Sequence, residues 1–184
     1  AEYDQARALE AIINLDDASD LDILAEHGGI PECVCLRFNP GGDFAIGNTI
    51  MGNPGEAKYG MSADQLEATL LRLKHRGAER FGLHAFLSSN TMAESYYPEL
   101  AGILLRLGKR LAEKTDLRFS FINLSGGIGI PYRPDQPEVD IQAVGEAVRK
   151  VYEALCPEKD VALKSELGRW MTGPCGWLVT RAVH

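Results

Sequence analysis

Short apolar runs alternate with longer amphipathic ones along most of the chain. Residues 11–15, 33–38, 81–87 and 119–124 are brief and mostly apolar, and 161–166 opens on an apolar stretch, which predicts five strands. Between them the apolar positions recur at three- and four-residue spacing. Leu66, Leu70, Leu73 and Ala78 follow Ser62, a candidate helix cap, and Leu100, Ile103, Leu104, Leu107 and Leu111 form a stripe over 96–114. Further helices are predicted from the cap at Ser19 to His27 and over 141–155. Residues 177–183 are one more strand-like run, reached without an intervening helix. A loop rich in Gly and Asn extends from the end of the second strand to Gly60.

Strict alternation of strand and helix implies parallel strands joined by crossover helices, in a doubly wound open sheet or a (β/α)8 barrel. Five units do not decide this by count. The placement of polar and glycine residues favours the barrel. Asp16-Asp17, Asn39-Pro40-Gly41, His84 with Ser88-Ser89-Asn90, Ser125-Gly126-Gly127, and Glu166 with Arg169 all fall at strand C-terminal ends. An open sheet gathers function at one switch point, whereas a barrel draws it from every strand in turn.

Composition narrows the function. The 184 residues suffice for one domain with a core, and 26 acidic against 19 basic residues give a net charge of -7. Lys and Arg are scattered, so nucleic acid is not an expected partner. No apolar run reaches the length of a membrane span and the first residues lack a signal-peptide pattern, so a cytoplasmic location is expected. Cys33, Cys35, Cys156 and Cys175 are too few and too irregular for a disulfide framework or a zinc site. Cys33 and Cys35 share one strand face and read as packing. The absence of an initiator Met, with a start inside a helix-like pattern, suggests a piece of a longer protein.

The chemistry centres on residues 119–130, an apolar strand running into Ser125-Gly126-Gly127-Ile128-Gly129. Such a turn lets backbone N–H groups close around a phosphate, because no Cβ obstructs the approach. Ser88-Ser89-Asn90 and Arg169 would add hydroxyls and a guanidinium without any metal. Glu166 beside an anion site is electrostatically awkward unless the ligand carries its own cation. A protonated pyridine nitrogen is such a cation, and the combination points to pyridoxal 5'-phosphate. The plain readings stand beside this one: His84 as a hydrogen-bonded core residue, Asp16-Asp17 as a cap for the helix from Ser19, and Arg37 as a structural ion-pair partner.

Arg37-Phe38-Asn39-Pro40-Gly41, Lys58-Tyr59-Gly60, Gly82-Leu83-His84, the run Gly126-Gly127-Ile128-Gly129-Ile130-Pro131-Tyr132, and Glu166-Leu167-Gly168-Arg169 resemble, in order and spacing, the motifs of diaminopimelate decarboxylases. These are pyridoxal-phosphate enzymes with an alanine-racemase-like barrel. The resemblance implies a lyase of lysine biosynthesis that turns the amino acid meso-diaminopimelate into L-lysine by Schiff-base chemistry, in the cytoplasm and as a homodimer. It implies that Gly126, Gly127 and Ser89 bind the cofactor, that Glu166 pairs with its pyridinium nitrogen, that Arg169 serves the phosphate or a substrate carboxylate, and that Glu166 and His84 are catalytic. Where the family reads His-x-His-x-Gly-Ser, this chain reads His84-Ala85-Phe86-Leu87-Ser88-Ser89, so Phe86 stands where a histidine usually stacks on the cofactor. That departure leaves open a different amino-acid or polyamine-related substrate. A non-catalytic cofactor-binding module is a further alternative.

The family's Schiff-base lysine and its cysteine-containing substrate motif match no position here. The expectation is therefore a partial barrel of strands four to eight over residues 1–176, with 177–184 beginning a C-terminal β domain. Alone, such a piece is expected to be inactive. It is also expected to self-associate through its open edges, or to cover one with the run at 177–183.

Overall fold

The computed structural model describes residues 2–43 and 58–183, so most of the predicted loop before Gly60 lies outside the described residues. Five parallel strands form one sheet in sequence order: β1 (Ile13–Leu15), β2 (Cys33–Arg37), β3 (Arg80–His84), β4 (Phe119–Asn123) and β5 (Ala162–Lys164). Helices α1 (Glu2–Ala8), α2 (Asp20–Glu26), α3 (Ala63–His75), α4 (Tyr96–Thr115), α5 (Ile141–Leu155) and α6 (Gly168–Thr172) complete the described regular structure, with short 3-10 turns at Gly41–Asp43 and Gly173–Cys175. Consecutive strands pair with their sequence neighbours throughout. That is the order of a barrel wall rather than of a sheet that reverses at a switch point.

Side-chain alternation builds the core. Ile13, Leu15, Val34, Leu36, Phe81, Leu83 and Ile122 point from the sheet toward the helices and are buried with Leu66, Leu70 and Leu73 of α3 and Leu100, Leu104, Leu107 and Leu111 of α4. The helix starts follow local chemistry. Ser62 and Gln65 form a reciprocal capping box on α3, and the Asp140 carboxylate accepts from the amides of Gln142 and Ala143 at the start of α5. Ser19 precedes α2 as expected, but its side chain makes no capping bond. The opposite sheet face carries Cys35, Arg37, Gly82, His84, Phe121 and Asn123. Gly82 is required there, because a Cβ would fall 2.0 Å from the Phe121 ring.

Two expectations need correction. The third strand stops at His84 instead of reaching 87, since the Leu87 amide donates to the Tyr96 hydroxyl at 3.1 Å rather than to a neighbouring strand. The run at 177–183 forms no strand and covers neither edge. Trp177, Leu178 and Val179 are 91, 95 and 89% exposed. A β-prone sequence becomes a strand only against a partner strand and a packed face, and this segment meets neither. Among the described residues, β1 and β5 are therefore open edges.

Candidate functional site

A cavity of about 410 Å³ opens at the C-terminal ends of the strands. It is lined by Arg37 from the last position of β2, His84 from the last position of β3, Phe86, Ser89 and Asn90 just beyond, Ser125, Gly126 and Gly127 after β4, and Glu166, Gly168 and Arg169 after β5. All seven residues singled out from the sequence, His84, Phe86, Ser89, Gly126, Gly127, Glu166 and Arg169, line this one cavity. Two other cavities, of about 590 and 540 Å³, are larger, but none of these seven residues lines either. Chemistry, not size, selects the site.

The glycine turn is built by close chain approach. A Cβ on Gly126 would lie 2.5 Å from the Glu166 carbonyl oxygen, and one on Gly127 would lie 2.4 Å from that of Ser88. Gly127 also has φ +113, a conformation that side chains resist. The turn is stapled to its surroundings: the Thr91 amide donates to the Gly127 carbonyl and the Gly129 amide to that of Thr91, both at 2.8 Å. The Tyr97 hydroxyl donates to the Ser125 carbonyl at 2.8 Å, and the Glu166 amide donates to the same oxygen at 2.7 Å. The amides of Gly126 and Gly127 themselves have no partner among the described residues. Two unclaimed donors in a rigid turn fit an anion such as a phosphate.

Glu166 is exposed, and Asn123 donates to its Oε1 at 2.9 Å while accepting the Ser125 amide at 2.8 Å. Sequence reasoning missed Asn123. Its signal was an amide side chain at the end of a strand, on the same face as Phe119 and Phe121 in the alternating pattern. Arg169 donates to the Tyr132 hydroxyl and lies 5.8 Å from that ring's centre, so the residues after the glycine turn fold back onto α6. Asp16 and Asp17 divide the role expected of them. Asp17 accepts the Ser19 amide at 2.8 Å, near the start of α2. Asp16 instead accepts from Arg37 at 2.7 Å and from the Gly60 amide at 3.2 Å, because Arg37, only 15% exposed, needs a counter-charge.

His84 is buried, and its pKa falls below the ordinary histidine value through burial first and the Arg37 charge second, against the pull of Glu166 and Asp16. Burial pushes the Cys35 thiol up to about 12, which fits the packing role. No group of His, Cys, Asp and Glu suited to a metal ion occurs among the described residues, and no helix there is long and apolar enough to cross a membrane.

The sequence model of the pyridoxal-dependent decarboxylase pyridoxal-binding domain matches residues 4–173. The chain belongs to the pyridoxal-dependent decarboxylases. Among its relatives, Protein TabA of Pseudomonas amygdali pv. tabaci is 30% identical over 184 residues, covering 100% of this chain and 43% of that protein. The diaminopimelate decarboxylase of Thermoplasma acidophilum is 32% identical over 81% of this chain and 36% of its own length. Among solved structures, Helicobacter pylori diaminopimelate decarboxylase in complex with L-lysine has a TM-score of 0.77 at 20% identity, over 91% of this chain and 42% of that one. Selenomonas ruminantium lysine decarboxylase has a TM-score of 0.73 at 22% identity, over 92% and 42%. The fold is thus the wall of an alanine-racemase-like barrel, and the family's cofactor is pyridoxal 5'-phosphate. The chain spans about two-fifths of the length of these relatives.

Proposed function

We propose that this chain is the cofactor-holding part of an amino-acid decarboxylase, and that the whole protein converts meso-diaminopimelate into L-lysine as a cytoplasmic homodimer of lysine biosynthesis. The observation that carries the reading is the convergence of unclaimed glycine amides, an exposed carboxylate and an arginine on one cavity at the strand ends. Pyridoxal 5'-phosphate, when bound, draws off the electron pair left by departing carbon dioxide. The amides of Gly126 and Gly127 hold the phosphate, with Ser89 and Arg169 beside them. Glu166, oriented by Asn123, keeps the proton on the pyridine nitrogen. Phe86 offers an aromatic wall to the ring and has no proton to give.

Among the described residues, no lysine lines the cavity. We therefore assign the Schiff-base amine to a part of the whole protein outside this chain, and residues 177–184 to the beginning of a second domain. The chain alone is then inactive. Borohydride reduction with pyridoxal phosphate followed by peptide mapping should label no single lysine stoichiometrically, and one labelled site would refute this assignment.

Phe86 in the cavity wall favours a second reading, a decarboxylase of another amino acid. Carbon dioxide release by a full-length protein containing this chain, measured on meso-diaminopimelate beside lysine, ornithine and arginine, decides between them. Release from meso-diaminopimelate alone supports the first reading. Turnover of another substrate in its place overturns it, and turnover of none favours the non-catalytic module.

A further inference from the structure

His84 has only 9% of its surface exposed, yet it lines the cavity. Its Nδ1 is buried with no hydrogen-bond partner among the described residues. An orphaned N–H inside a protein is rarer than an orphaned acceptor, so the proton belongs on Nε2 and Nδ1 is left as a bare acceptor. The surrounding charges point the same way. Arg37 is the residue directly paired with His84 across β2 and β3, and the facing residue on β4 is the neutral Asn123. Glu166 and Asp16 are the nearby acids, but Asp16 is already engaged by Arg37. A second cation beside the guanidinium, in a buried position, is disfavoured.

We propose that His84 meets the ligand as a neutral imidazole protonated on Nε2, a fixed hydrogen-bond donor to an anionic oxygen of the molecule bound in the cavity. This rests on the reading that the cavity holds the cofactor and its substrate. It gives His84 a binding duty of defined polarity, which neither core packing nor proton transfer would require.

The test separates the inference from the reading beneath it. Nitrogen-15 spectra of the unliganded chain, with His84 assigned by the signal lost in His84→Gln, should show the Nε2–H tautomer and a titration midpoint below 6.5. Pyridoxal phosphate is the binding probe. Glutamine can place an amide N–H near the position of Nε2, and asparagine near that of Nδ1. His84→Gln should therefore bind within about three-fold of the parent, while His84→Asn weakens binding roughly ten-fold or more. The Nδ1–H tautomer, a midpoint above 6.5, or equal binding by the two variants would overturn the inference. If the parent itself does not bind, the cavity reading falls together with the ligand contact. A wrong tautomer in a protein that still binds overturns this inference alone.

Discussion

Replacing Gly127 with alanine asks whether the turn after β4 is fixed by close contact or merely tolerant of glycine. The new Cβ would sit 2.4 Å from the Ser88 carbonyl oxygen, so one chain must retreat by more than half an ångström. Neither is free to do so, because Thr91 holds the turn from both sides through 2.8 Å hydrogen bonds. Overpacking of this kind costs about 1–3 kcal/mol. The φ of +113 adds strain of about 1–3 kcal/mol for a residue with a side chain. A combined loss of about 2–6 kcal/mol lowers the melting midpoint of a domain this size by roughly 4–24 °C, read by circular dichroism. Gly145 is the control. It lies inside α5 with nothing within 4 Å of an added Cβ, so Gly145→Ala should stabilise by about 0.5–1 kcal/mol. A Gly127→Ala protein that melts within about 1 °C of the parent would refute the reasoning, whatever its activity.

Asp16→Ala leaves the largely buried Arg37 without its partner and should cost about 1–2 kcal/mol in urea unfolding, between the values of exposed and buried pairs; an unchanged midpoint would make the pair ornamental. In a full-length protein, Glu166→Gln should slow decarboxylation roughly ten- to a hundred-fold while changing cofactor affinity little, since the phosphate contacts lie elsewhere; equal rates would remove Glu166 from the mechanism. Because both sheet edges are open among the described residues, light scattering across a dilution series should show the 184-residue chain associating, and a strict monomer at every concentration would contradict that. His84 is neutral in the fold below its ordinary value, so the unfolded chain binds its proton first as pH drops. The stability this group confers is present above about pH 6.5 and is lost below it, a loss that His84→Gln should abolish in unfolding curves taken at pH 7.5 and pH 5.5.

The strand–helix alternation was legible because each element's apolar period matches the face it buries, as in α4, where the stripe through Leu100, Leu104, Leu107 and Leu111 became the packed side. The site was legible for a related reason: polar residues and glycines at strand ends must gather where parallel strands end together. What stayed hidden depended on partners distant in sequence. Asp16 reads as a helix cap until β1 and β2 align and bring it to Arg37. Residues 85–87 read as strand until the Tyr96 hydroxyl claims the Leu87 amide. Residues 177–183 read as strand from composition alone, although no partner strand awaits them. Gly126 reads from the sequence as room for a phosphate, and the structure adds a steric need, since the Glu166 carbonyl oxygen lies 2.5 Å from where a Cβ on Gly126 would sit.

Amide NMR of the nitrogen-15-labelled chain tests directly whether the amides of Gly126 and Gly127 receive a phosphate. Titration with pyridoxal phosphate should shift both cross-peaks, together with those of Ser89 and Glu166, and saturate. Pyridoxal without the phosphate should leave Gly126 and Gly127 largely unmoved. Shifts confined to the opposite end of the sheet, around Cys33, Arg80 and Ser120, or equal shifts with and without the phosphate, would contradict the assignment of this cavity.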